Sequence, residues 1–176
     1  MDEIIKGTRV YLRRLTEEDS CYVVNWRNDP EIRKWMFNQQ ELTIENHLKW
    51  FRSVDFEKRL DYVICDLKND VPIGTVNFVD IAQKSAEAGK MLGNKDYWGG
   101  GYAKEAFLLW LRFGFVRLEL KRVIVQTMAA NITNIKLNER IGFKAIEEKS
   151  FKSINKCYRV LIMELTSTDF FSNYES

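Results

Sequence analysis

At 176 residues the chain has the length of one ordinary domain, and two full domains with separate cores would be cramped. An apolar fraction of 45%, with 13% aromatic residues, suffices for a sizeable core, and 30% charged residues suffice for a soluble surface, which excludes disordered and fibrous classes. The 27 Lys and Arg against 25 Asp and Glu leave a formal charge of +2, too weak a bias to argue for nucleic acid or an anionic membrane as partner.

No stretch approaches the ~18 uninterrupted apolar residues of a membrane span, and the opening MDEIIKGTRV lacks the apolar run of a secretory signal, so a cytoplasmic location without a membrane partner is expected. Cys21, Cys65 and Cys157 are odd in number, widely separated and without C-x-x-C spacing, and read as reduced structural residues. His47 is the one histidine and no Cys/His/carboxylate set is clustered, so no bound metal is expected. Only Pro30 and Pro72 interrupt the chain, with no linker and no repeat, and residues 1–176 read as a single domain.

In chain order, Arg9 to Arg13 alternates as a half-buried strand, and Thr16-Glu-Glu-Asp is an N-cap-like opening for a helix carrying Tyr22, Val23 and Trp26. After the break at Asn28-Asp29-Pro30, Ile32, Trp35 and Met36 sit at helical spacing, and Thr43 opens a third helix with Leu48, Trp50 and Phe51 apolar. Trp26, Trp35 and Trp50 read as core more readily than as ligand-stacking residues. The period then changes. Tyr62 to Leu67, a turn at Lys68 to Pro72, and Ile73 to Asp80 form a hairpin, and a further strand covers Ser85 to Leu92. A turn-rich stretch from Gly93 to Tyr102 opens an apolar helix over Ala103 to Phe113. Val123 to Met128 is a β-branched strand, Asn131 to Arg140 a short helix closed by Gly142, and Tyr158 to Met163 the last strand.

Gly99, Gly100 and Gly101 stand at a strand-to-helix junction, where missing Cβ atoms let backbone N–H groups approach a ligand closely. With the free N–H groups and positive dipole end of the following helix they make an anion pocket suited to phosphates, or else a turn that simply needs glycine. G-x-x-x-x-G-K-[ST] is absent, and G-x-G-x-x-G with its acidic partner does not fit a loop this late in the chain, so ATP, GTP and NAD are not expected.

Trp98-Gly99-Gly100-Gly101-Tyr102-Ala103 resembles the acyl-CoA pyrophosphate loop of the GNAT superfamily of acetyltransferases, Gln/Arg-x-x-Gly-x-Gly/Ala, in a form similar to RimJ/RimL-like members. Trp98 departs from the Gln/Arg position and leaves the binding to backbone amides. Further on, Asn131-x-x-Asn134-x-x-Leu137-x-Glu139-Arg140-x-Gly142-Phe143 resembles a second segment of that superfamily, although Asn131 alone also reads as a helix cap.

The resemblance implies an α/β GNAT fold, with a mixed, mostly antiparallel sheet of about seven strands flanked by helices and splayed between its fourth and fifth strands. The pantetheine of acetyl-CoA, the implied co-substrate, would lie in the gap as an added strand on the backbone of Met91, Leu92 and Gly93, with Asn131 and Asn134 also on the cofactor side. Gly-Phe at 142–143 would begin the next strand. Activity would be direct attack of a neutral amine on the thioester, with no covalent enzyme intermediate. Glu87 falls where the superfamily often carries its base, although a strand glutamate can equally face solvent or a neighbour. The protonator of the thiolate is commonly a tyrosine at the position that Asn138 occupies here. That leaves water, a hydroxyl such as Tyr97 or Tyr102, or no acid at all.

The acceptor side is implied by Trp26-Arg27-Asn28-Asp29-Pro30, Trp35-Met36 and His47, a pattern similar to PseH-type enzymes, which acetylate the 4-amino group of a UDP-linked sugar. Arg27 could grip a nucleotide phosphate and His47 could meet the sugar, or they form a helix-end ion pair and a satisfied core histidine. A RimJ/RimL-like acetyltransferase of protein N-termini, a polyamine acetyltransferase and a non-catalytic acyl-CoA sensor stand as alternatives. The partner is thus a small-molecule amine, foremost a nucleotide-linked sugar, and a homodimer through exposed strands stays open.

Overall fold

Burial of alternate side chains makes Val10–Arg14 a strand, with Val10 and Leu12 fully enclosed and Tyr11 and Arg13 on the other face. A computed structural model describes residues 4–153 and 156–174. Its strands are β1 (Ile5–Lys6), β2 (Val10–Arg14), β3 (Leu60–Asp66), β4 (Pro72–Ala82), β5 (Ser85–Leu92), β6 (Arg122–Met128), β7 (Lys144–Ser153) and β8 (Lys156–Thr166). Its α-helices are α1 (Ser20–Asn28), α2 (Pro30–Arg33), α3 (Ile44–Arg52), α4 (Tyr102–Arg117), α5 (Ile132–Ile141) and α6 (Ser167–Tyr174). The strands form one eight-stranded sheet in the order β1-β2-β3-β4-β5-β6-β8-β7. Every neighbouring pair is antiparallel except β5–β6. The strand beyond the expected seven is β1, a two-residue edge too short to show a period.

The two faces carry different work. On one, Phe78 stacks on Trp110 of α4 at 4.6 Å between ring centroids, inside a core that takes in Ile141 of α5 and Phe170 of α6. Such an aromatic pair adds ~0.5–1.5 kcal/mol beyond its buried area. On the other face a smaller cluster of Leu15, Val23, Val63 and Cys65, with Trp50 and Phe51 packed against it, seats α1 and α3. Trp26 of α1 lies so close over Gly93 that a Cβ there would stand 2.1 Å from its Cγ, which makes this glycine a packing requirement.

Three expectations are corrected. The helix expected through Trp35 and Met36 stops at Arg33. After Lys34 the chain turns on tighter i→i−3 bonds, Trp35 N–H to Ile32 O and Met36 N–H to Arg33 O at 3.0 Å each, and the Gln39 side chain takes the freed Lys34 carbonyl. The C-terminal helix α6 lies beyond the last strand expected, capped by Thr166, whose hydroxyl accepts from the Asp169 amide at 3.1 Å. Of the three cysteines only Cys65 is buried; Cys21 and Cys157 are exposed thiols.

Candidate active site

The parallel pair β5–β6 is held only over Ser85–Glu87 against Arg122–Ile124. Beyond it the strands part, leaving the facing edges of residues 88–92 and 125–128 without strand partners between them. The gap opens into a cavity of about 960 Å³ whose walls include Arg27, Trp35, Met36, His47, Glu87, Lys90, Met91, Leu92, Trp98, Asn131 and Asn134. The cleft thereby brings together residues of both sequence motifs and of the N-terminal helices. Gly93, Tyr97, Gly99, Gly100, Gly101, Tyr102, Ala103 and Asn138 lie off its wall.

From Trp98 on the cleft wall the chain runs straight into the glycine bend. Gly101 caps α4 with φ +81° and Gly99 has φ +76°, a backbone region that costs a side-chain-bearing residue roughly 1–2 kcal/mol. Arg9 fixes the bend from the far end of the sequence, donating through Nη1 to the Gly100 carbonyl and through Nε to Glu105 Oε2, both at 2.8 Å. Glu105 also accepts the amides of Thr8 and Arg9, and the guanidinium lies over the Tyr102 ring at 4.5 Å. Because C=O and N–H point oppositely across a trans peptide, drawing the Gly100 carbonyl toward Arg9 turns the Gly101 N–H away from it. None of the three glycine amides has a main-chain acceptor among the described residues, and the first turn of α4 adds its own orphan N–H groups. Such an end attracts anions. The Trp98 indole N–H is committed to the Leu92 carbonyl at 2.8 Å, and the Gly93 N–H turns to the Ile73 carbonyl of β4.

Along β5 the unbroken register with β4 sets Glu87, Gly89 and Met91 on the α1–α3 face and Ala86, Ala88 and Lys90 on the α4 face. Glu87 Oε2 accepts from Gln126 Nε2 of β6 at 2.7 Å, and burial pushes its carboxyl above the ordinary range despite that bond. On the opposite face Lys90 Nζ donates to Asn138 Oδ1 at 2.5 Å and lies 4.2 Å from the Phe107 ring centroid. Burial lowers its pKa to about 7. Asn138, fully buried on α5, also reaches Thr127 of β6 at 3.4 Å. Asn131 caps α5, its side chain accepting from the Asn134 amide at 3.2 Å, while Asn134 donates to Thr127 Oγ1 at 3.0 Å. The Tyr97 hydroxyl is given to Asp66 at 2.7 Å, outside the cleft.

Also on the cleft wall, the Arg27 guanidinium has no hydrogen bond, ion pair or ring contact among the described residues. Its neighbour charges are already matched, Arg59 with Asp61 through two bonds of 2.7 and 2.9 Å, and Glu31 with Lys95. Burial, followed by the positive Arg59, lowers the Arg27 pKa. His47 is 3% exposed and stacks near Trp50, yet its Nε2 is buried without a partner. Burial and then the Arg27 charge push its pKa down, against Asp61. Neither the helix-end ion pair nor the satisfied core histidine is found.

Residues 9–144 match the model of the acetyltransferase (GNAT) domain, most of the chain. This chain belongs to the GNAT acetyltransferase family. Its architecture is the GNAT fold, and the domain is that of an acetyl-CoA-dependent acyltransferase. An uncharacterised protein of Methanocaldococcus jannaschii is 29% identical over 81% of this chain, and the chain spans only 29% of that protein's length. Acetyltransferase PseH of Campylobacter jejuni is 28% identical over 43% of this chain and 46% of its own. The crystal structure of spermidine N-acetyltransferase from Vibrio cholerae in complex with CoA and spermine superposes with a TM-score of 0.86 over 94% of this chain and 99% of that one, at 19% identity, a likeness of fold alone.

Sequence reasoning missed Arg9, Gln126 and Lys90. Arg9 and Gln126 act through partners 91 and 39 residues away, which no local pattern announces. Lys90 did leave a signal, since strand alternation in Ser85-Ala-Glu-Ala-Gly-Lys90 places it with two small residues on the core face.

Proposed function

We propose that this domain transfers the acetyl group of acetyl-CoA to a primary amine on an anionic, nucleotide-linked sugar, by direct attack with both substrates bound together. The observation that carries the acceptor is the unpaired Arg27 guanidinium on the same cleft wall as His47, whose Nε2 is enclosed without a partner. A diphosphate supplies acceptor oxygens for a guanidinium and leaves the sugar hydroxyls for the imidazole. A polyamine would instead set its cations beside the uncompensated Arg27 guanidinium at that part of the wall. The partial similarity to PseH leans the same way.

The donor side suits acetyl-CoA in two respects. The orphan amides of the glycine bend and of the first turn of α4 match a diphosphate, and the free edges of β5 and β6 match the amides of an extended pantetheine. The co-substrate supplies the activated acetyl group. Glu87 then takes the proton that an amine of pKa near ~10 carries at neutral pH, directly or through one water. Its raised pKa makes it a stronger base than an ordinary carboxylate, and the bond from Gln126 orients it.

The test is product analysis by mass spectrometry with acetyl-CoA and, in separate reactions, a UDP-4-amino sugar, an N-terminal peptide and spermidine. The reading expects acetylation of the UDP-4-amino sugar. Turnover of the peptide or of spermidine alone overturns it, and CoA binding without turnover of any amine makes the domain a sensor.

A further inference from the structure

We propose that Lys90 is the proton donor to the departing thiolate, reaching from β5 to the position on α5 where Asn138 offers no acid. The proposal rests on the acetyl-transfer reading above and adds to it the residue that completes the proton balance.

Lys90 Nζ holds Asn138 Oδ1 at 2.5 Å, and Asn138 in turn reaches Thr127 of β6, so the side chain bridges the two strands that part to form the cleft. Lys90 is itself on the cleft wall. An amide oxygen accepts a hydrogen bond from an ammonium without taking its proton, so the charge stays on Nζ and two further N–H groups stay available. The elements packed on this face present Phe107 from α4, Asn138 from α5, Thr127 from β6 and Val76 from β4, none of them charged. Glu87, three residues earlier, is on the opposite face of the strand. Base and acid therefore flank the same strand edge from its two sides.

The step balances. The amine nitrogen bonds to the acetyl carbonyl carbon, the carbon–sulfur bond breaks with both electrons on sulfur, and Nζ passes one proton to that sulfur. The surplus amine proton leaves through Glu87 to water, and neutral Lys90 regains a proton from water. Amine and thioester become amide and thiol, with no other reactant. With the desolvated ammonium at about 7 and an alkyl thiol near the ~8.5 of cysteine, the transfer runs downhill.

Two variants and two readouts test this. Lys90→Met removes the proton and the charge, whereas Lys90→Arg keeps a charge that does not leave at neutral pH. With acetyl-CoA and a UDP-4-amino sugar, both should lose kcat by about 10²-fold or more, the size of a lost general acid, while acetyl-CoA affinity by calorimetry stays within about twofold. In the wild type the rate should fall as pH rises past about 7, and that limb should vanish in Lys90→Arg. Independently of any acceptor, the thiol of bound CoA, followed by thiolate ultraviolet absorbance, should ionise at lower pH in Lys90→Arg, which keeps a cation beside the sulfur, than in Lys90→Met. Wild-type kcat in Lys90→Arg, or identical thiol titrations in Lys90→Arg and Lys90→Met, overturns the proposal. An unreactive UDP-4-amino sugar with a shifted thiol titration overturns only the acceptor.

Discussion

Arg9 Nη1 donates to the carbonyl oxygen of Gly100 at 2.8 Å, tying the first long strand to the bend that opens α4. The same guanidinium is paired with Glu105 at 2.8 Å, so the bend is held from outside before a ligand arrives. Arg9→Met should leave the fold intact and release the bend. Acetyl-CoA should then bind about tenfold or more weakly, in keeping with the ~1.5–3 kcal/mol of a charged hydrogen bond, with kcat little changed. Initial rates against acetyl-CoA concentration check this.

Glu87→Gln should lower kcat by about 10²-fold while acetyl-CoA affinity holds. A base must be deprotonated, so the wild-type rate climbs as pH rises through the Glu87 pKa, which burial sets above the ordinary carboxylate range. That limb should be missing in the variant. A rate profile with an unaltered acid side removes Glu87 as the base.

Arg27→Ala separates acceptor binding from donor binding. It should raise KM for a nucleotide-linked amine by tenfold to a hundredfold, the loss of a charged hydrogen bond of roughly 1.5–3 kcal/mol, and leave the KM for acetyl-CoA unchanged. Steady-state kinetics with each substrate varied in turn would measure both.

Lys90 should also mark the pH dependence of stability. Its folded pKa of about 7 lies below the 10.5 of an unfolded lysine, so between those values the unfolded chain binds the extra proton and folding grows more favourable as pH rises. Lys90→Met lacks this contribution. Its melting temperature relative to the wild type should therefore be greatest below pH about 7 and decline toward pH about 10, and parallel melting curves across that range would contradict the shift.

Much of the fold was legible because its signals are local. The alternation that makes β2, the triple glycine before α4, and the Asn131 and Gly142 bounds of α5 each lie within a few residues. The glycines could be placed at a helix start without knowing that Arg9 would hold them. The cleft was less legible, because its chemistry is made by contacts across the sheet: Glu87 with Gln126, and Lys90 with Asn138 across 48 residues. Trp35 and Met36 did reach the cleft wall, but on a turn, since helical spacing alone does not reveal where the i→i−4 ladder gives way to tighter bonds. The unpaired state of Arg27 also follows from burial and neighbours, which a sequence does not carry.

The most direct test of the account is a calorimetric titration of acetyl-CoA into the wild type and into Gly101→Asp, with folding of both checked by circular dichroism. Aspartate at φ +81° strains the cap and sets a carboxylate among the amides that are to hold the diphosphate. The wild type should bind one equivalent and Gly101→Asp should bind at least about tenfold more weakly, or not measurably. Equal affinity in two folded proteins would contradict phosphate binding at the glycine bend, and with it the placement of the donor in the cleft between β5 and β6.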